Sequence, residues 1–421
     1  MEKLLQRGLK YADDIEMYHS KSRVSSVKGE SKNLKGMTCI DQGWGVRAQV
    51  DGKIGFSFTT RADGIEECVR KAASIARTKK DTADLEFPCN PLIHVDDLYC
   101  RKTAHLSIEE IVSYLNEVLE NKGDTTSLEG ALEIREMERA VFNSSGLEAT
   151  EKGTFADLSV LARGECLVSE DRSSRSFHNL DGHELVEDLT RRSRSAPTGT
   201  LSEDIDTIIL SPEAVSLLFS ILLCPAFCAD NVLDNQSFLG NLRDEMVACE
   251  DLTITDDATV GGGLVSRSFD AEGVSSRQVP LIEEGRLVGY LHNLSTGGST
   301  GGESTGNAFR DYRNEPIVFP SNLIIEHAIE LELDELLNGK GKAVMARGIV
   351  GAYSSDYITG DYSITLDECS LIQNGMAERI ENISIGGNAL DLLKSIQAVS
   401  RERVQCGHFI SPSIAISSFH I

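Results

Sequence analysis

Several things are scarce or missing in this 421-residue sequence, and each absence removes a class of function. No run of about 18 apolar residues occurs, so no membrane-spanning helix is predicted. The N-terminus, Met1-Glu2-Lys3-Leu4-Leu5-Gln6-Arg7, lacks the continuous apolar core of a secretory signal, and a cytoplasmic location is expected. Basic residues are few. Lys and Arg number 41 against 66 Asp and Glu, a formal net charge of −25. Such a chain repels phosphate backbones, so nucleic acid is not an expected partner. Arg191, Arg192 and Arg194 form its best basic cluster. Aromatic residues are only 6%, which leaves the core to aliphatic side chains. None of the ten cysteines forms a CxxC pair, and the closest two are Cys224 and Cys228. In a reducing compartment these read as free, mostly buried thiols.

What is present reads as a globular chain. Hydrophobic residues make up 40% and charged residues 25%, and the length suits two or three folding units. The patterning predicts an α+β protein: an N-terminal helix-plus-hairpin α/β portion (residues 1–100), a central segment (101–203) and a large strand-rich C-terminal segment (204–421). Leu4, Leu5, Leu9, Ala12 and Ile15 fit one helical face. Asp51-Gly52 between Val46–Val50 and Lys53–Phe58 predicts a two-residue hairpin turn. Asp63 with Glu66, and Ser107 with Glu110, have capping-box spacing. Pro88 and Pro91 mark the first boundary. Strands are expected at Ala140–Phe142 and Phe155–Val168, a helix through Leu185 and Leu189, and a linker over 193–202. Ser211-Pro212-Glu213 should start a deeply buried helix ending near Pro225. Glu284-Gly285 and Asn374-Gly375 read as turns, Ser295–Gly306 as a glycine-rich loop, and Ala389 to Val399 as a late helix.

The usual catalytic signatures fail one by one. A helical zinc site needs two histidines one turn apart with a glutamate base, and neither HExxH nor HExxxH occurs. In His183-Glu184-Leu185-Val186-Glu187 a glutamate stands where the second histidine belongs. Gly298-Ser299-Thr300-Gly301 lacks the spacing of a serine nucleophile elbow. Gly339-Lys340-Gly341-Lys342 lacks that of a phosphate loop. Asp256-Asp257 and Asp270-Ala271-Glu272-Gly273 have no calcium-loop spacing and read as solvated turns. Cys406 and His408 alternate as residues of one strand would, and a Cys–His nucleophile stays open. The polar end of the glycine loop, Ser304-Thr305-Gly306-Asn307, offers hydroxyl and amide groups beside Arg310.

Five segments in order resemble the TldD/PmbA family, also described as modulators of DNA gyrase. They are Arg47–Phe56, Phe269–Gly273, Ser304–Asn307, Thr359-Gly360-Asp361-Tyr362-Ser363 and Gly386-Gly387-Asn388. The resemblance covers essentially the whole chain. It implies a cytoplasmic metallopeptidase built from two related subunits. The TldD type carries HExxxH and a cysteine as metal ligands. The PmbA or TldE type lacks the histidines and completes the cleft. This sequence resembles the second type. Where HExxxH would fall it reads Leu217-Leu218-Phe219-Ser220-Ile221-Leu222-Leu223-Cys224, while Gln405-Cys406-Gly407 resembles the cysteine segment. The resemblance therefore implies a subunit with no metal and no catalytic residue of its own, zinc in a TldD-type partner, and a peptide substrate. The assembly would be a heterodimer with that partner, or self-association. Ser304, Thr305, Asn307, Arg310, Gly360, Asp361 and Ser363 are the candidate substrate-binding walls. Two other readings are an autonomous hydrolase using Cys406 or a composite metal site, and a non-enzymatic modulator of a topoisomerase.

Overall fold

The computed structural model describes residues 1–421 except 81, 84, 90, 91, 121–126, 202–204, 339, 340, 374 and 418–421. The Asn374-Gly375 turn, Gly339-Lys340, Pro91 and the end of the 193–202 linker fall wholly or partly outside the described residues.

The N-terminal half is one antiparallel sheet with strand order β3-β2-β1-β4-β5-β6. Its strands are β1 (Asp14–Glu30), β2 (Asn33–Val50), β3 (Lys53–Thr59), β4 (Ser127–Asn143), β5 (Glu148–Arg163) and β6 (Leu167–Ser174). The hairpin at Asp51-Gly52 forms as the alternation demands, with Val50 opposite Lys53. β1 pairs with both β2 and β4, so the sheet runs continuously across residue 100. Helices α1 (Glu2–Gly8), α2 (Ile65–Thr78), α3 (Arg101–Ala104), α4 (Ile108–Glu120) and α5 (Gly182–Ser193) accompany it. The stripe Ile65, Val69, Ala72, Ala73 and Ala76 of α2 packs on Ile15, Val46 and Ala48. Ile111, Leu115 and Val118 of α4 meet Leu185 and Leu189 of α5 over Leu132 and Leu158.

Several local expectations differ. The first helix stops at Gly8 and Ile15 sits in β1, because that side chain fills the pocket against Val69. Asp63 does not cap α2. Its carboxylate pairs with Arg61, and Gly64 is the N-cap. Ser107 and Glu110 do form their reciprocal box, with the Ser107 N–H donating to Glu110 at 2.8 Å. Phe155–Val168 is two strands, because the chain turns at Gly164, where a Cβ would stand 2.5 Å from the Ser193 carbonyl oxygen. The late helix spans only Ala389–Lys394, and Ile396 and Val399 belong to the strand Ile396–Cys406, which pairs with Phe409–Ile416.

The C-terminal half is a mixed sheet wrapped around one helix. β7 (Thr207–Leu210) leads into α6 (Pro212–Ala226), then α7 (Ala229–Leu233), β8 (Leu252–Asp257), β9 (Gln278–Glu283) and β10 (Arg286–Leu287). Ser211 caps α6, accepting from the Ala214 N–H at 3.2 Å, and Pro212 occupies its first turn. Leu218, Phe219, Leu222 and Leu223 bury the helix in the largest core cluster. The Ser295–Gly306 stretch is not wholly irregular. It opens with α8 (Leu294–Ser299), held by an Asn293/Thr296 capping box. Arginines fasten the two halves together. Arg175 donates to the Gly263, Leu264 and Ser266 carbonyls at 2.9–3.0 Å, and Arg139 donates to the Phe269 carbonyl at 2.8 Å.

Candidate functional site

The helix that would carry the metal histidines does meet the cysteine segment in space. Ser216 on α6 donates its hydroxyl to the Cys406 carbonyl at 2.6 Å. Around that contact α6 offers Leu217, half exposed, and buried leucines. Burial, with the charges of Glu213 and Glu170, pushes the Cys406 thiol up to about 12. A neutral thiol is a poor nucleophile. His408 is not on the strand of Cys406 but in the turn between Ile396–Cys406 and Phe409–Ile416, and it is engaged elsewhere. The His408 Nδ1 lies 3.1 Å from the Pro320 and Ser321 carbonyls, and the ring meets Phe319 edge-on. Among the described residues no group of three or more His, Cys, Asp or Glu side chains is placed to hold a metal. A metallopeptidase zinc needs several such donors, so this donor set does not fit it.

The Ser304–Arg310 candidates lie together but face inward. Ser304 donates its hydroxyl to the His292 carbonyl at 3.2 Å. Thr305 donates to the Asn307 amide oxygen at 2.7 Å. Asn307, 1% exposed, donates its amide to Asp256 at 2.7 Å. Asp256 also accepts from the Ser321 N–H at 2.6 Å and hydroxyl at 2.8 Å. Burial raises Asp256 to about 6 despite these donors. Asp270 is likewise raised to about 6, by burial and then by the Glu272 charge. Neither acidic cluster is the solvated turn expected of it: Asp256 and Asp257 end β8, and they, Asp270 and Glu272 are all buried.

Arg310 belongs to a buried ion cluster that joins the two halves. It pairs with Glu16 of β1, donates to the Ala271 carbonyl at 2.9 Å and lies over the Tyr18 ring at 4.7 Å. Arg47 of β2 pairs with the same Glu16 and, at 2.5 Å, with Glu272. Glu272 in turn accepts the Leu294 N–H at 2.7 Å, which fixes the start of the glycine loop. Burial alone would raise Glu16. The guanidinia of Arg310 and Arg47 outweigh that and hold its carboxyl below the ordinary glutamate value. The sequence reading missed Glu16 and Glu272 as partners. The signal available was a charge inside an apolar alternation, as in Ile15-Glu16-Met17 and Val46-Arg47-Ala48.

The second candidate wall lies elsewhere. Asp361 is exposed and accepts from Asn388 at 3.0 Å and Thr359 at 2.9 Å. Gly360 adopts φ 81°, Ser363 is exposed, and Tyr362 lines a cavity of about 660 Å³ with Gly386, Gly387 and Asn388. Thr305 and Ser304 line different cavities, of about 430 and 770 Å³, which share Gly302 and Glu303 of the glycine loop.

Residues 203–421 match the profile described as the PmbA/TldA metallopeptidase C-terminal domain, and residues 15–76 match its domain 1. This chain belongs to the TldD/PmbA metallopeptidase family. A protein of Methanocaldococcus jannaschii with no described activity is 30% identical over 98% of this chain and 98% of its own length. A metalloprotease of Methanothermobacter thermautotrophicus is 26% identical over 90% of this chain and 86% of its own. A zinc metalloprotease TldD homolog of Saccharolobus solfataricus is 25% identical over 62% and 60%. The crystal structure of TldE from Thermococcus kodakarensis superimposes with a TM-score of 0.90 at 24% identity, covering 99% of this chain and 98% of that one. The α+β TldD/PmbA fold is thus the fold of this chain. Within it, no described helix is long and apolar enough to cross a membrane.

Proposed function

We propose that this chain is the metal-free partner subunit of a TldD/PmbA-type metallopeptidase acting on peptides or unfolded proteins. One observation carries the reading. The meeting point of α6 and Cys406 holds a serine hydroxyl, a leucine face and a thiol raised to about 12 by burial. A hydrolytic zinc must polarise a carbonyl and lower the pKa of its water, and that takes ligands the described residues do not assemble. A TldD-type subunit would supply the metal. This chain would supply part of the enclosed chamber, with Ser304, Thr305, Asn307 and Arg310 behind one wall and Gly360, Asp361 and Ser363 at another. The burial of Asn307 and Arg310 gives them a positioning role, since their polar atoms hold Asp256 and Glu16. The raised Cys406 thiol weighs against an autonomous cysteine hydrolase.

The test is reconstitution with a TldD-type subunit from the same source, reading peptide cleavage and zinc content together. The chain alone should be inactive and required for its partner's activity. Full cleavage by the partner in its absence, or about one tightly bound zinc per chain in the purified subunit, would sink the reading.

A further inference from the structure

A cavity of about 110 Å³ lies where the two halves of the chain meet, and three arginines line it. Arg139 is on β4, Arg175 directly follows β6, and Arg267 comes from the C-terminal half. The sheet brings the first two together. Arg139 stands opposite Glu151 across the β4–β5 pair, and Phe155 of β5 carries the Arg175 guanidinium 4.2 Å from its ring centroid.

Each guanidinium is anchored on one side and open on the other. Arg139 donates through Nε at 3.0 Å and through Nη2 to Glu151, and through Nη2 at 2.8 Å to the Phe269 carbonyl. Arg175 uses Nε and Nη2 for the Gly263, Leu264 and Ser266 carbonyls. Arg267 donates through Nη2 at 3.1 Å to the Gly306 carbonyl. The Nη1 of all three makes no hydrogen bond among the described residues, yet none of these nitrogens is sealed from solvent-sized space. Gly153 marks the space beside one of them. A Cβ there would stand 2.8 Å from the Arg175 Nη1, and Gly153 belongs to the same cavity wall.

Charge is as unbalanced as the hydrogen bonding. Arg175 and Arg267 are 6% and 3% exposed and form no ion pair among the described residues. Glu151, the carboxylate in the lining, is already against Arg139 and accepts the Ser268 N–H at 2.6 Å. Asp256 and Asp270 attract Arg267 without touching it. Lys152 adds a half-exposed cation to the wall, 3.4 Å from Glu138. Burial and the Arg139 charge pull Arg175 down to about 10, so it stays protonated at neutral pH with no counter-charge in contact. Water satisfies N–H groups but brings no charge. An anion supplies acceptor and charge together, in bonds about twice as strong as neutral ones. The net charge of −25 does not oppose this, because salt screens distant carboxylates beyond about 8 Å.

Size narrows the class. At about 30 Å³ per water the cavity holds roughly four such volumes, which suits one tetrahedral oxyanion and is too small for a nucleotide or a peptide. We propose that Arg139, Arg175 and Arg267 bind one tetrahedral oxyanion, a phosphate or sulfate, through their Nη1 groups at the junction of the two halves. It is the free ion or the terminal phosphate of a larger molecule whose remainder leaves past Lys152 and Phe309, both exposed. The site is complete within this chain and needs no second subunit.

The test is isothermal titration calorimetry on the full chain in Tris chloride with about 0.15 M sodium chloride, so that general screening is constant. Sodium phosphate should bind at one site per chain, and sodium sulfate should compete for it. Arg175→Met and Arg267→Met should each weaken binding at least about tenfold. Arg175 also fastens the halves, so Lys152→Glu serves as a variant outside the junction. It should leave the melting temperature without phosphate unchanged and weaken binding about fivefold. Selenate soaked into crystals of the parent should give an anomalous peak between the three arginines. O-phosphoserine binding as tightly as phosphate assigns the site to a terminal phosphate group, and its exclusion while phosphate binds assigns it to the free ion; both keep the site. No phosphate or sulfate binding at millimolar concentration, binding unchanged in both Arg267→Met and Lys152→Glu, or a selenate peak only elsewhere overturns the proposal.

Discussion

Replacing Arg47 by methionine should destabilise the protein by about 3–5 kcal/mol, the cost of breaking a buried ion pair from one side. The Arg47 side chain is 4% exposed and lies between Glu16 and Glu272, both at 0%. Methionine replaces most of its aliphatic volume, so little of the cost comes from a cavity. Without Arg47, Glu16 keeps Arg310, but Glu272 keeps only the Leu294 N–H at 2.7 Å among the donors described here. Glu272 is therefore the uncompensated charge. Adding Glu272→Gln should recover about 2 kcal/mol, because the remaining Glu16–Arg310 pair is balanced. The pH range follows from sign. The folded pKa of Glu16 is lowered from 4.5, so its contribution is present above that value and is lost only as pH falls through the lower folded value. The parent should hold this contribution at pH 5. The assay is urea unfolding, reading shifts in midpoint at constant slope. A single-variant cost under about 1 kcal/mol, or a double variant that is simply additive, would refute the reasoning.

Further outcomes follow from the same contacts. Asn307→Ala removes a donor to ionised Asp256 and should cost about 1.5–3 kcal/mol at pH 7.5. Asp256 titrates near 6 when folded, above its ordinary 3.8, so the folded state takes up a proton as pH falls and the penalty should shrink by pH 5. An equal penalty at both pH values would contradict that. Cys406→Ala should leave cleavage by the reconstituted pair unchanged, and abolished turnover with zinc retained would assign chemistry to this thiol. Limited proteolysis of the lone chain should cut at the exposed residues 298–303 and be slowed by a TldD-type partner. Equal cutting rates with and without the partner would place the loop outside any shared surface.

The sequence by itself determined the local elements whose causes are local. The Asp51-Gly52 hairpin, the Ser107/Glu110 box and the Ser211-Pro212 start of α6 all form as read, because turn conformation and capping are short-range physics. The family was also legible, since five short segments kept their order along the chain. Element ends were less legible where a distant contact sets them. Ile15 left its helical pattern for a strand facing Val69, and Gly164 turned the chain against Ser193. Only the tertiary structure decided what the polar site residues do. In sequence Arg310 is a cation beside hydroxyl and amide groups, but folding sets it against Glu16, 294 residues earlier in the chain. It likewise gives Asn307 to Asp256. Pairing across such separations depends on how the two sheets pack, and no periodicity in the chain encodes it.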